Sequence, residues 1–327
     1  MTQKVAMEKW KTFVTCLPKQ STIQPDHELL FYGALHTVAS YCGLSSPLRT
    51  DKISWNHGIV EDDCVSHLRD IVNYGGSANF HLVARDSHLR ILDEYGCKNA
   101  MAIGMPFLYT EPPSVDRLES SLLVMPAHST NHSGAMRDEE TYVEAVLPMM
   151  EKFDLAVFCI HGSCIERGLW SKTLDKMGIP WVVGAAIDDT NALPRLRLLF
   201  SMFECVTANC LVSGLAYASS SGCRISLHAP FFSPQESEWE KEPFYKQNPQ
   251  LLASHVQRAS EAATRLRLPW LFVPPEQSEV RPEWGNYLVG TAHKKSPTEL
   301  RKILGWTPLG QAKLAIARLR KWIYKRR

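Results

Sequence analysis

Residues 121–125 read SLLVM, a short apolar run closed by Pro126, as a buried strand would be. A polar loop, Ala127 to Arg137, follows. Val143, Val146, Met150 and Phe153 then recur at spacings of three and four, one face of a helix that Asp138 is placed to cap. Pro148 sits inside that pattern and should kink the helix or end it early. A second strand, LAVFCI at 155–160, runs into His161-Gly162. Leu169, Thr173, Leu174 and Met177 suit a helix closed by Gly178. PWVVGAA at 180–186 is a third strand, and Asp188-Asp189-Thr190-Asn191 is a capping loop before a helix over 192–204. Cys205–Ala208 is a fourth strand, 210–221 a helix of small residues ended by Gly222, and Arg224–Leu227 a fifth strand. Alternation with short connections is what right-handed crossovers between parallel strands produce. The expected class is α/β, with a parallel sheet in the C-terminal lobe.

Working outward, the first 120 residues are less regular. A helix is expected over Glu28–Cys42, and strands over Lys52–Trp55, Phe80–Ala84 and Ala100–Ile103, with a helix over 86–95 between the last two. Asn56-His57-Gly58 and Gly104-Met105-Pro106 end the first and third strands. These elements predict a second, smaller lobe over 1–117, joined through the Pro-rich hinge TEPPSVDR at 110–117 to a larger lobe over 118–306. Beyond Pro230 the pattern loosens. Asn248-Pro249 predicts a long amphipathic helix to about Leu266, and Ser296-Pro297-Thr298-Glu299 is a capping box for a helix stopped by Gly305. A tail over 307–327 carries Lys313, Arg318, Arg320, Lys321, Lys325, Arg326 and Arg327, interleaved with Leu314, Ile316, Leu319, Trp322 and Ile323.

The 327 residues carry a formal charge of only +2, which gives no global drive toward nucleic acid, and none is expected as a partner. Nine cysteines without a CxxC pair read as reduced thiols. With no secretory leader and no stretch long enough to span a bilayer, the expectation is a cytoplasmic protein. The basic amphipathic tail, 313–327, adds an anionic membrane surface as a possible partner.

Ligands in doubly wound sheets bind beyond the carboxyl ends of the strands. Here those ends carry His128 and Ser129, then His161 and Gly162, then Asp188, then Asn209. The helix that follows presents Ser213 in its first turn and Tyr217 one turn on. Its small residues let a phosphate approach free amides at a positive dipole end. In the smaller lobe His57 follows a strand, with Glu61, Asp62 and Asp63 close behind. No metal is expected. The His128 and His132 spacing falls in a loop context, and Asp188-Asp189 reads as a helix cap.

The ordered series SLLVMPAHS, FCIHG, AAIDDTNALPRLRLLFSMFECVTAN and SGLAYASSSGCRISL resembles the C-terminal half of bacterial surface-polysaccharide glycosyltransferases of GT-B architecture. WNHG and AIGMPFLY upstream, and EWGNYL and SPTELRKILGW downstream, extend the resemblance over roughly 50–306. It implies two Rossmann-like lobes, a nucleotide-sugar donor on the larger, a glycan or lipid-linked glycan acceptor on the smaller, and no separate cofactor. His128, Ser129, His161, Gly162, Asp188, Asn209, Ser213 and Tyr217 would then bind donor. His57, Glu61, Asp62 or Asp63 would supply the base that an inverting transfer needs. Where such sequences carry Gly-Ser-His before the last helix, this one reads Val212-Ser213-Gly214. That departure keeps open a non-catalytic scaffold that binds glycan or nucleotide, and a nucleotide-sugar epimerase on the same fold is a second alternative.

Overall fold

The apolar runs pair as parallel strands. The computed structural model describes residues 3–25, 27–50, 52–56, 58–72, 78–128, 139–228 and 230–325. Within them the chain opens with helices α1 (Gln3–Val14) and α2 (Ala34–Tyr41). Next come β1 (Ile53–Trp55), the short α3 (Leu68–Ile71), β2 (Phe80–Val83), α4 (Asp86–Glu94) and β3 (Ala100–Ala102). The three strands form a parallel sheet in the order β1-β2-β3. The helix expected over 28–42 is divided. Glu28–Gly33 is a 3-10 segment broken at Phe31 and Tyr32, and only then does α2 begin. Gly33 has φ +70°, and a Cβ there would lie 2.1 Å from the Thr190 carbonyl oxygen, so the turn is forced by a neighbouring loop.

The larger sheet contains β4 (Leu118–Met125), β5 (Leu155–Ile160), β6 (Trp181–Val183), β7 (Phe203–Ala208) and β8 (Arg224–Leu227). Between them lie α5 (Glu139–Met150), α6 (Gly162–Glu166), α7 (Ser171–Lys176), α8 (Ala192–Met202) and α9 (Ser213–Ser220). All pairings are parallel, in the Rossmann-like order β6-β5-β4-β7-β8. Leu122, Leu123 and Val124 of the central strand are fully buried, as a strand covered on both faces requires. The chain leaves β4 on one side through β5 and β6, then returns to the other side as β7. That reversal opens a crevice beyond the carboxyl ends of β4 and β7. The expected cap of α5, Asp138, lies outside the described residues. The helix itself runs past Pro148 to Met150.

After β8 follow α10 (Glu236–Trp239), α11 (Pro243–Gln247), α12 (Leu252–Arg258), α13 (Glu261–Arg267), α14 (Pro282–Val289), α15 (Pro297–Ile303) and α16 (Pro308–Lys325). The single long helix expected from Asn248 to Leu266 is instead α12 and α13. Ser260 breaks it, because its side chain accepts from the Ala263 amide at 3.3 Å and starts a new helix. Asn248 makes no cap; its Nδ2 donates back to the Phe244 carbonyl at 2.9 Å and closes α11. The Ser296 box forms as expected, with Glu299 accepting from the Ser296 amide at 2.8 Å.

Chain order and packing differ at both ends. Helix α1 lies on the larger sheet, where Trp10 is buried and its ring sits 5.6 Å from that of Phe203. At the other end, Leu300, Leu304 and Trp306 are buried with Val38, Trp55 and Leu82 of the smaller-sheet side. The segment 110–117 expected as a hinge is pinned at its end, where Arg117 donates to the Ser221 carbonyl at 2.7 Å.

Helix α14 approaches α9 closely. A Cβ at Gly285 would lie 2.3 Å from the Ser220 nitrogen and 2.7 Å from the Ala216 oxygen. In an open helix, alanine for glycine gains about 1 kcal/mol of propensity. Overpacking typically costs about 1–3 kcal/mol, and here the obstacle is backbone, which cannot rotate away. Gly285→Ala is therefore expected to lower the midpoint of urea unfolding. A variant as stable as the parent would refute the close approach.

Candidate functional site

Two adjoining cavities open at the crevice, sharing His128, Leu211, Val212 and Ser213 as their common wall. The first, about 520 Å³, is bounded by Glu61 and Asp70 from the smaller-sheet side and by Tyr245, His255 and Arg258 from the C-terminal helices. The second, about 350 Å³, lies over the ends of β4, β5 and β6 and is bounded by Tyr32, His161, Gly184 and Tyr217.

His161 is the most informative residue of the second cavity. It ends β5 and caps α6, its Nδ1 accepting from the Ser163 amide at 3.2 Å, with the Ser163 hydroxyl 2.7 Å away. An accepting Nδ1 puts the ring proton on Nε2. That atom is buried and has no hydrogen-bond partner among the described residues. The His128 ring stacks on it at 4.3 Å. Burial, and then the neighbouring His128, push the His161 pKa well below the usual 6.5, so the ring is neutral at pH 7. The result is a buried, unpaired neutral N–H donor on a ring that lines the second cavity. A buried donor left unpaired costs about 1–3 kcal/mol, which a ligand oxygen would recover.

The other expected donor-side residues divide. His128, Ser213 and Tyr217 line the second cavity with His161. Ser213 accepts from the Ile59 amide at 3.0 Å, which ties α9 to the smaller-sheet side and leaves the hydroxyl proton for another acceptor. Tyr217 is buried and stacks on Phe107 at 4.3 Å. Gly214 lets α9 start against Met125, whose Cε would lie 2.6 Å from an added Cβ. Asn209 is fully buried and accepts from the Ala127 amide at 2.7 Å, so it holds the β4 and β7 ends together rather than lining the space. Gly162 packs against Ala186, where an added Cβ would approach within 2.5 Å of its Cβ. Asp188 lines neither cavity. Ser129 and His132 lie outside the described residues.

Of the acids expected as base, Asp62 is committed elsewhere. Its Oδ1 accepts from Arg85 Nη2 at 2.7 Å and from the Ser87 hydroxyl at 2.9 Å, and its Oδ2 accepts from Tyr287. Burial raises its pKa, but the bonds from Tyr287 and Arg85 outweigh that and hold the carboxyl below its ordinary range. A carboxylate so stabilised is a poor base. Asp63 is exposed and lines neither cavity, and His57 lies outside the described residues. Glu61 does line the first cavity, 3.4 Å from Arg267, with burial raising its pKa.

Two groups of acidic residues bear on metal binding. Asp189 is buried and paired with Arg195 at 2.5 Å, and it accepts from the Asn191 amide at 2.9 Å. The Asp188-Asp189 doublet is thus a loop anchor. Glu61, Asp63 and Cys64 bring ligand atoms within 4.8 Å of one another. Burial pushes the Cys64 thiol up to about 11.

The sequence reading missed Asp70, Tyr245, His255 and Arg258 of the first cavity. Asp70 and His255 stand 185 positions apart and share no motif, so only the tertiary fold unites them.

His161→Asn separates the two jobs of that ring. Asparagine retains a cap for α6 and removes the unpaired Nε2. The expected result is a thermal midpoint equal to or above the parent's. A fall of several degrees would mean that Nε2 already has a partner within the protein. No family model and no curated protein sequence matches the chain.

Proposed function

We propose that the protein is a glycosyltransferase of GT-B type, working without a metal, with two Rossmann-like lobes and a nucleotide-sugar donor in the second cavity. The carrying observation is the buried, unpaired Nε2–H of His161, on a ring that ends β5 of a Rossmann-like sheet and lines the second cavity. A neutral donor beside the start of α9 suits a phosphate or base oxygen, since amides and a dipole end supply the rest of the recognition. Ser213 and His128 line both cavities, so a group held in one is presented to the other. The first cavity then takes the acceptor, a hydroxyl of a glycan or lipid-linked glycan.

A thermal-shift screen of the full chain with CMP-, UDP- and GDP-sugars tests this reading. One of them is expected to raise the midpoint and to be consumed when acceptor is added. His161→Asn should lose at least ~10-fold in affinity for it, the value of one hydrogen bond to a charged group. Binding without turnover would favour the scaffold, and turnover to an epimer without acceptor would favour the epimerase. No shift with any of the three removes the donor site altogether.

Helix α16 supports a place at the membrane face. None of the described helices is long and apolar enough to cross a bilayer. In α16, however, Ile316, Leu319 and Trp322 are all more than half exposed, and Lys313 and Arg318 flank them. Apolar residues that leave the body beside cations match an anionic lipid surface, where Trp sits at headgroup depth. Upstream, Gln311 is tied to the Arg49 and Gly305 carbonyls at 2.9 Å each, so a cut after Ala312 spares the anchored turn. Removing 313–327 should release the protein from phosphatidylserine vesicles and leave its melting curve unchanged. Unchanged co-sedimentation would sink the membrane role.

A further inference from the structure

We propose that Tyr245, His255 and Asp70 form a proton relay in the first cavity, with the Tyr245 oxygen as the base that receives the acceptor's hydroxyl proton. The inference rests on the transferase reading and supplies the base that Asp62 cannot provide.

Each link fixes the next. Asp70, in the capping box of α3, accepts from the Ser66 amide at 2.7 Å and the His67 amide at 2.9 Å through Oδ2. Those two bonds lock the carboxylate and leave Oδ1 turned to His255, whose Nε2 lies 2.6 Å away. In the neutral ring Nε2, facing the carboxylate, is the protonated nitrogen and Nδ1 carries the lone pair. Nδ1 lies 2.9 Å from the Tyr245 hydroxyl, which is the donor to that neutral ring. The order carboxylate, imidazole, hydroxyl is that of a nucleophile-activating triad, recognised by geometry rather than by sequence position. Arg258, 3.5 Å from Oδ2, adds a positive charge on the far side of the carboxylate. Burial raises the Asp70 pKa, but the bonds from His255 and Ser66 outweigh it and bring the value to about 2. Asp70 therefore stays ionised and able to stabilise an imidazolium.

The surroundings suit a saccharide hydroxyl. Trp239 stacks on the Tyr245 ring at 5.6 Å, and Phe244 stacks on the His255 ring at 6.0 Å. This aromatic wall holds both rings in place and faces the same cavity as Ser213 and His128. The step balances as follows. The acceptor oxygen bonds to the anomeric carbon as the carbon–oxygen bond to the donor's phosphate breaks, and that electron pair leaves with the nucleotide. The acceptor proton passes to the Tyr245 oxygen while the Tyr245 proton passes to His255 Nδ1, giving an imidazolium paired with Asp70. Solvent removes the proton afterwards.

An activated phenol is measurable without any substrate. N-acetylimidazole acetylates tyrosine oxygens, and peptide mass spectrometry reads each site in the intact chain. At pH 7, Tyr245 is expected to react faster than Tyr95, which is more exposed at 47 % but donates only to the Ser66 carbonyl. His255→Asn should slow Tyr245 about tenfold or more, the low end of what a positioned base contributes being about 100-fold in turnover. Tyr95 should be unaffected in that variant, which also serves as the check that the fold persists. A Tyr245 rate no greater than that of Tyr95, or unchanged in His255→Asn, overturns the relay. Where a nucleotide-sugar is turned over, Tyr245→Phe and His255→Asn should each cut transfer about 100-fold with donor affinity kept. Loss of donor affinity in both would overturn the assignment to the acceptor side. If acetylation behaves as expected but none of the three nucleotide-sugars binds, the transferase reading fails and the relay's role in glycosyl transfer fails with it, while the activated phenol stands.

Discussion

The guanidinium of Arg85 is the point at which the site is held together. It is almost fully buried, and every one of its nitrogens is bonded: to Asp62, to the Val60 carbonyl and to the Leu288 carbonyl. Those partners belong to the loop after β1 and to the end of α14, while Arg85 itself starts α4. A buried ion pair gains little net energy unless its geometry is good and its remaining donors are satisfied. Both conditions hold here, so the pair works as an orienting device. His88, 3.6 Å from Asp62, adds no charge of its own, because burial and Arg85 press its pKa down to about 4. One cation and one anion thus fix the stretch 59–62, of which Ile59, Val60 and Glu61 line the first cavity and Ile59 is the partner of Ser213.

From that anchor the two cavities acquire different chemistry. The second is neutral and largely apolar, with a histidine kept uncharged whose Nε2 is buried and without a hydrogen-bond partner among the described residues. A ligand there is recognised by hydrogen bonds and by α9. The first carries several charged groups, and its histidine is linked at both nitrogens. A neutral donor suits binding, while a doubly linked imidazole suits movement of a proton. The shared wall of His128 and Leu211–Ser213 is where the two would have to act on one bond.

Much of this was legible locally, and the failures have a common form. Parallel strands buried on both faces are continuous apolar runs, so LAVFCI predicted the bounds of β5, and the alternation of elements predicted a parallel sheet. The amphipathic period after Asn248 continued across Ser260 and hid a break that only the cap decides. The lobe boundaries followed chain order, yet α1 and the 300–306 segment pack on opposite sheets from those their positions suggest. Among site residues, those at strand ends, His128 and His161, were readable because the sheet alone positions them. Tyr245, His255 and Asp70 were not, since three short helices with no motif must meet to make them a unit.

Asp62 and Asp70 show why residue type near a suspected base is a weak guide. Both lie in the stretch between β1 and β2, eight positions apart, and both have a lowered pKa. Asp62 faces Arg85, which never gives up its proton at physiological pH, so that carboxylate can only hold its partner in place. Asp70 faces His255, whose other nitrogen can gain and lose a proton, so the same carboxylate there can polarise a chain of hydrogen bonds. The nature of the partner, invisible in the spacing of the acids, separates a structural anchor from a group that can move protons.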